Sequence, residues 1–395
     1  MRISTVTFQQ NALEQMQTLQ SDLATTQNQL ATGKRIQNAA DDPAAMAQVN
    51  QLNVQLSASQ QYVTNGNTAT SNLQLEEQAM SDATNTLQSA RDLAVQANNP
   101  ALSASQRQDI AAQLQQQLQD LVAIGNRTDS NGNYIFAGFA SGTIPFTQNG
   151  GSVSYLGSSQ VSQIQIAPNQ RVSAGDTGAS VFMNIPAGNG TFTTSGTLTN
   201  TGTGSIGVGT VSSPALWVPD TYTITFTTPS QYTVTNSAGT TVTSGTFTDG
   251  DAISFNGIQV PITGTPAAND TFTVAPAGKA SAFSTIQSLI TTLSSTTLNN
   301  AQIASQIGGA LQQMDSAITN MSNVSASVGA RLNSITSSQS AAQTTQTTLQ
   351  TNISQLSDVD YAAAITQLNT EELSLQAAQQ SYASIARLSL FNYLQ

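Results

Sequence analysis

Chemistry needs side chains that can hold a proton, a metal or a nucleophile, and this chain offers few of them. It contains no His and no Cys, so it has no imidazole base, no thiol nucleophile, and no ligand set for a zinc finger, a haem or an iron–sulfur centre. Carboxylates and hydroxyls remain. Asp249 and Asp251 flank Gly250 as in a calcium loop, but the position that should supply the loop's last glutamate is Val260, and a plain turn is the better reading. Glu76-Glu77 and Glu371-Glu372 are adjacent pairs. Neighbours on a helix point about 100° apart and cannot share a substrate, so both pairs read as solvated helix surface. Ser and Thr abound, yet a hydroxyl nucleophile needs an activating base. The two lysines sit in a Gly33-Lys34-Arg35 turn and, as Lys279, at a compositional junction. The sequence therefore predicts no catalytic residue, no metal and no cofactor, and a protein that is not an enzyme.

Charge narrows the classes further. The 395 residues carry 21 acids against 10 Lys+Arg, a net charge of −11, and only 8% of the chain is charged. Without a basic cluster to neutralise phosphates, nucleic acid is not expected as a partner. No apolar run approaches the roughly 20 residues of a membrane span, so membrane insertion is not expected either. The opening Met1-Arg2-Ile3-Ser4-Thr5 lacks the apolar core of a cleavable secretory signal.

The elements that must position these residues fall into three blocks. Of the 11 prolines only Pro43 and Pro100 lie outside 141–278, and the same window holds 19 of the 27 glycines. Ala-, Gln- and Leu-rich arms flank it. In the C-terminal arm, steps of four and three from Ile307 through Met314, Met321, Val328, Ile335 and Leu349 to Leu356 place apolar residues at 12 of 15 positions. That pattern is a coiled-coil seam. In the N-terminal arm, Leu73, Met80, Ala83, Leu87, Ala90, Ala94 and Ala97 form a stripe interrupted by Glu76, and Ile110, Leu114, Leu118 and Leu121 form another beyond a break at Pro100. Ser103 and Gln106 are spaced as a capping box. The middle block alternates Tyr222, Ile224 and Phe226 with threonines, and carries Asp249-Gly250 and Asn256-Gly257 hairpin signals. Ser195–Gly209, nearly all Thr, Ser and Gly, reads as a mobile excursion.

The fold class is α+β: a rod of long coiled-coil helices built from both termini, with a central all-β insert. The expected division is residues 1–40 with 357–395 as a terminal coiled-coil domain, 41–140 with 281–356 as a helical rod, and 141–280 as an outward β domain. The terminal stripes are thin. Leu13, Met16, Leu23 and Leu30 share one with Gln20 and Gln27, and Ile365, Leu368, Leu375, Tyr382 and Leu388 form another before Leu390-Phe391. Neither offsets its ordering entropy alone, so each needs a partner, either the other stripe or a neighbouring copy. Between them and the rod lies a helix corner. Gly33 suits a left-handed helix end, Asp42 an N-cap and Pro43 the first helical position, with Asp41 favouring the positive helix end.

That corner, Thr32-Gly33-Lys34-Arg35-Ile36 with Ala40-Asp41-Asp42-Pro43-Ala44, resembles the N-terminal motif of the bacterial flagellin family. Leu87-Gln88-Ser89-Ala90-Arg91-Asp92-Leu93 is similar to the family's second conserved helix. Three features resemble the hook–filament junction branch of the family rather than its filament subunits. They are Met1-Arg2-Ile3-Ser4-Thr5, Gly132-Asn133-Tyr134-Ile135-Phe136-Ala137-Gly138, and Asp360-Tyr361-Ala362 leading to Leu390-Phe391-Asn392-Tyr393. Ser89 also stands where filament subunits usually carry Arg.

The resemblance implies a secreted structural subunit of the flagellum, exported unfolded without a cleaved leader. Its terminal helices would order on polymerisation, with Leu13, Met16, Leu23, Leu30, Ile365, Leu368, Leu375, Tyr382, Leu388, Leu390 and Phe391 bearing subunit packing. The implied partners are other copies of the chain, a FlgK-type hook-associated protein, flagellin, and a FlgN-type export chaperone on the C-terminal stretch. A minor filament subunit, and a secreted coiled-coil adhesin or translocator, are the alternatives.

Overall fold

The computed structural model describes residues 5–391, with side chains described from Thr7 to Ser384 except Phe8. It divides into two units, Met1–Thr64 with Ser338–Gln395, and Asn65–Ser337. Among the described residues six helices lie before and after a central β region in the chain: α1 Thr5–Thr32, α2 Pro43–Ala97, α3 Ala104–Gly125, α4 Ala282–Ser294, α5 Asn300–Ser357 and α6 Tyr361–Phe391. Helices and antiparallel sheet occupy the regions expected from composition. Among the described residues no helix is long and apolar enough to cross a membrane.

In the larger unit one apolar core joins the helical stripes. Leu73, Met80, Leu87, Ala90 and Ala94 of α2 are buried with Leu114, Leu118 and Leu121 of α3, Phe283, Ile286 and Leu289 of α4, and Ile307, Met314, Met321, Val328 and Ile335 of α5. Every one of the 15 seam positions from Ile307 to Leu356 is buried or half-buried, the polar Ser325, Gln339 and Gln346 included. The Ser103–Gln106 capping box forms as spaced, with Gln106 N–H donating to Ser103 Oγ and Ser103 N–H to Gln106 Oε1. The chain after α3 docks on this core through Phe136, Phe146 and Phe182: the Phe182 ring meets those of Phe136, Phe146 and Phe283, and Phe146 meets Phe283, at 4.9–5.6 Å. Gly138 turns the first loop at φ 62°, and a Cβ there would stand 2.5 Å from the Gln160 carbonyl oxygen.

A second core belongs to the β region. Strands Thr241–Thr246, Gln231–Thr235, Tyr222–Thr228, Thr271–Pro276 and Phe192–Gly196 lie in that order in one antiparallel sheet. Ala252–Phe255, Ile258–Thr263 and Ser205–Ile206 form another. Their inward residues, among them Tyr222, Ile224, Phe226, Phe255, Val260, Phe272 and Val274, share one buried cluster. Asn256 and Gly257 both take positive φ in the tight hairpin that pairs Phe255 with Ile258, the turn that Asn-Gly favours.

Two expectations are corrected here. The Ser195–Gly209 excursion is held rather than free. Asp270 is 2% exposed, and its carboxylate accepts from the amides of Thr201, Gly202 and Ala267. One buried carboxylate satisfied by three backbone donors pins a segment whose composition predicts freedom. Glu76-Glu77 is not solvated surface. Glu76 is 1% exposed because it occupies the α2 stripe between Leu73 and Met80. One of its oxygens accepts from the Asp176 amide at 3.1 Å, and Asp176 pairs with Arg331 of α5. Glu77 accepts from Ser325 Oγ on α5.

Burial, then the neighbouring Asp176 charge, pushes the Glu76 carboxyl from its ordinary 4.5 up to about 8, with Arg331 acting against them. The folded state therefore keeps a proton that the unfolded chain has already released. Its stabilising effect is complete below about pH 4.5 and is lost as pH rises towards 8. The urea midpoint of the wild-type chain, measured against Glu76→Gln, should fall between pH 5 and pH 8. Parallel pH profiles for the two proteins would contradict this assignment.

Candidate assembly site at the chain ends

In the smaller unit α1 packs along α6, and two corners meet at the ends of these helices. α1 stops at Gly33, which takes φ 71° and donates its N–H to the Gln29 carbonyl at 2.8 Å. The chain then runs antiparallel to the segment between α5 and α6. Arg35 N–H donates to the Ser357 carbonyl at 2.7 Å, Val359 N–H donates to the Gly33 carbonyl at 3.0 Å, and Lys34 bridges Asp358. Side chains reinforce this clasp. Lys34 Nζ lies 2.5 Å from Asp358 Oδ1 and donates to Ser357 Oγ, while the Arg35 guanidinium donates to the Leu356 carbonyl at 2.8 Å and stands 3.6 Å from Asp42. Ile36, Ser357 and Ala364 are buried around it.

Each corner also caps its own helix. Asp42 accepts the Ala45 amide at 3.0 Å and Pro43 opens α2, as the sequence predicts. Asp360 accepts the amides of Ala362 and Ala363 and starts α6. Asp41 does not serve the helix end. Its Oδ2 accepts the amides of Gln37 and Asn38 at 2.9 Å each, closing the loop. The Asn38 and Gln37 amides hold the Asp41 carboxyl below its ordinary value. Hydrogen bonds from Lys34 and Ser354 do the same for Asp358. Both ion pairs of the clasp are substantially exposed, so they add little by themselves. The backbone pairing and the buried Ile36 and Ala364 carry the joint.

The residues expected to pack between subunits are not gathered into a core. Leu13 and Ile365 are each 50% exposed, and Met16, Leu23, Leu30, Leu368, Leu375 and Tyr382 are half-buried. Leu388, Leu390 and Phe391 lie outside the residues whose side chains are described, and so does the tail Asn392-Tyr393-Leu394. The structure adds two exposed apolar residues on α6 that the stripe leaves out, Tyr361 and Leu373, the latter 68% exposed. No local pattern in the sequence pairs Arg35 with Leu356–Tyr361, the other half of the clasp. The Asp360 cap ahead of Tyr361-Ala362 is the signal that marks a second corner there.

Residues 3–141 match the model of the bacterial flagellin N-terminal helical region, and residues 311–394 the C-terminal helical region. Residues 195–276, in the β region, match a D2-like domain of flagellar hook-associated protein 1. The chain is 32% identical over 185 residues to flagellar hook-associated protein 3 of Escherichia coli (strain K12), a match covering 47% of this chain and 58% of that protein. It thus spans little more than half the length of this curated relative. The crystal structure of FlgL from Xanthomonas campestris is similar with a TM-score of 0.72 and 32% identity, covering 76% of this chain and 98% of that one. The flagellar junction protein FlgL from Legionella pneumophila gives a TM-score of 0.70 and 33% identity, covering 79% and 100%.

The clasp generates a test. A Cβ at Gly33 would stand 2.9 Å from the Tyr361 hydroxyl in addition to straining a left-handed backbone. Gly33→Ala should destabilise the smaller unit by about 1–2 kcal/mol or more, read as faster amide exchange at Arg35 and Val359. Adding Tyr361→Phe should restore part of that loss, whereas additive effects would show that the two residues do not meet.

Proposed function

The chain belongs to the FlgL (flagellar hook-associated protein 3) family of flagellin-like proteins, and from this premise we propose that it is a structural subunit joining the flagellar hook to the flagellin filament. The observation that carries the reading is the helix pair at the chain ends. α1 and α6 lie together and are tied to the long helices by the Gly33–Ile36 clasp. They still present Leu13, Ile365 and Leu373 to solvent. Two helices with an apolar face left over can accept further helices of the same kind. On this reading residues 1–40 with 357–395 form the polymerising domain and 41–140 with 281–356 the rod, while 141–280 project outward. Leu13, Met16, Leu23, Leu30, Ile365, Leu368, Leu375, Tyr382, Leu388, Leu390 and Phe391 bear the subunit contacts.

The partners follow from that placement: other copies of the chain in its own layer, a FlgK-type hook-associated protein on one side, and flagellin on the other. A FlgN-type chaperone would hold the C-terminal amphipathic stretch, a helix laid in a groove, before export unfolded through the flagellar channel. The match of the β region to a domain of hook-associated protein 1 favours this over a minor filament subunit. No reaction is assigned to the chain, because without His or Cys its hydroxyls lack an activating base of the usual kind.

Loss of the gene should leave hooks intact, filaments absent and flagellin shed into the medium; attached filaments would overturn the junction reading. Truncation after Leu356, which removes half of the clasp and all of α6, should abolish assembly while circular dichroism still reports the α2–α5 helices and the β region. A finer probe is Leu13→Asp with Ile365→Asp. Because both sites are half exposed, monomer stability should change by less than about 1 kcal/mol, while swarming motility and filament attachment are lost. Normal swarming would remove these residues from the interface.

A further inference from the structure

Beside the buried Glu76 lies a cleft of about 340 Å³ that the assembly reading does not use. Four segments build it, one of them Val161-Ser162. α2 supplies Asn72 and Glu76, the loop after α3 supplies Asp129, Tyr134 and Phe139, and the segment after Gln170–Ser173 supplies Asp176. Three carboxyl groups line it. Asp176 is paired with Arg331, which reaches it from α5. Asp129 has both oxygens turned to the loop: Oδ1 accepts the amides of Asn131 and Asn133, and Oδ2 the Asn133 side chain. Slight burial pushes its carboxyl up, but the hydrogen bonds from Asn133 and Asn131 outweigh that, so it ionises below the ordinary aspartate range. Glu76 is the unsatisfied group. Its Oε1 takes the Asp176 amide, and its Oε2 is buried without a hydrogen-bond partner among the described residues.

An orphaned buried carboxylate oxygen costs free energy unless a proton or a cationic donor meets it. At neutral pH a proton fills that role, held there by burial, by the Asp176 charge and by a hydrogen bond to the Asp176 side chain, against the opposing pull of Arg331. The cleft walls point to what could replace it. No three carboxylates among the described residues are grouped to hold a metal ion. Instead two aromatic side chains, Tyr134 and Phe139, stand with the acids, and Phe139 is exposed at the rim. Carboxylate beside aromatic faces suits a flat or alkylated cation, which gains charge pairing and ring contact together.

We propose that this cleft binds an organic cation, a guanidinium or primary ammonium group, seated between Glu76, Asp129 and the rings of Tyr134 and Phe139. Arrival of the cation favours ionised Glu76, so the bound proton leaves as the ligand enters. Binding and proton release are one equilibrium. Affinity then falls about tenfold for each pH unit below the Glu76 titration and levels off above it.

The experiment is calorimetric titration of the full chain with ethylguanidinium at pH 6.5, 7.5 and 9, each in two buffers of different ionisation heat. Binding that strengthens with pH, with proton release at pH 7.5 and none at pH 9, is the expected result. Glu76→Gln should abolish the pH dependence. Phe139→Ala, an exposed change that leaves the core untouched, should weaken binding about two- to fivefold while keeping that dependence. It keeps the test intact if the Glu76 variant does not fold. Comparison with an acetylated, amidated Gly-Arg-Gly peptide separates the sources: tighter binding of the peptide indicates an arginine presented by a protein partner, and tighter binding of ethylguanidinium a free metabolite. No heat at pH 9 with tens of millimolar ethylguanidinium, affinity flat with pH, or no effect of Phe139→Ala would overturn the proposal.

Discussion

The structure depends on one constraint: a chain with few charges must hold long helices together by apolar seams. Leu73, Met80, Leu87 and Ala94 of α2, and Ile307, Met314, Met321 and Val328 of α5, are buried in the same core. Small residues at 83, 90, 94 and 97 let neighbouring backbones come close, which dispersion forces reward at short range. The loops after α3 then have a preformed surface on which Phe136, Phe146 and Phe182 can dock. Without that seam the Gly138 turn and the Glu76 cleft would have nothing to rest on.

The scarce charges are placed at joints. Among the described residues the ion pairs are Lys34–Asp358, Arg35–Asp42, Arg91–Asp315, Arg127–Asp82 and Arg331–Asp176. Arg35–Asp42 lies within one corner, the other four link segments far apart in the chain, and none decorates a single exposed helix face. Exposed helix surface is instead covered by hydroxyls that bond their own backbone. Thr344, Thr345, Thr347, Thr348 and Thr351 each donate to the carbonyl four residues earlier. Such bonding leaves the hydroxyl hydrogen occupied, so a neutral-polar face offers methyl groups and few free donors. A surface of that kind has little to desolvate on contact with another protein surface, and salt should affect such a contact weakly.

Within the smaller unit the clasp fixes how the two terminal helices meet. α1 and α6 bury too little on their own to be self-sufficient. Corners at both ends meet through main-chain bonds, so the terminal pair is tethered at a defined point while Leu13, Ile365 and Leu373 stay accessible. A tether through backbone hydrogen bonds tolerates change in side chains better than one made of ion pairs, provided that Gly33 keeps its positive φ.

Much of this was legible in the sequence because it is local. The seam from Ile307, the stripe through Leu87, the Ser103–Gln106 box, the Asp42-Pro43 start of α2 and the Asn256-Gly257 hairpin all follow from periodicity or from backbone preferences of a few adjacent residues. The absence of His and Cys likewise limited the chemistry before any fold was known. What only the tertiary structure decided depends on partners far away in the chain. Glu76 reads as surface beside Glu77, yet one residue of rotation puts it on the buried stripe opposite Asp176 and Arg331. Asp41 and Asp42 are adjacent, but loop geometry sends one to the Gln37 and Asn38 amides and the other to α2. Arg35 meets the Leu356 carbonyl, and Asp270 fixes Thr201 and Gly202, through contacts that no periodicity encodes. Helical and strand periods are set by neighbouring residues, whereas the partner of a buried charge is set by which surfaces the whole chain brings together.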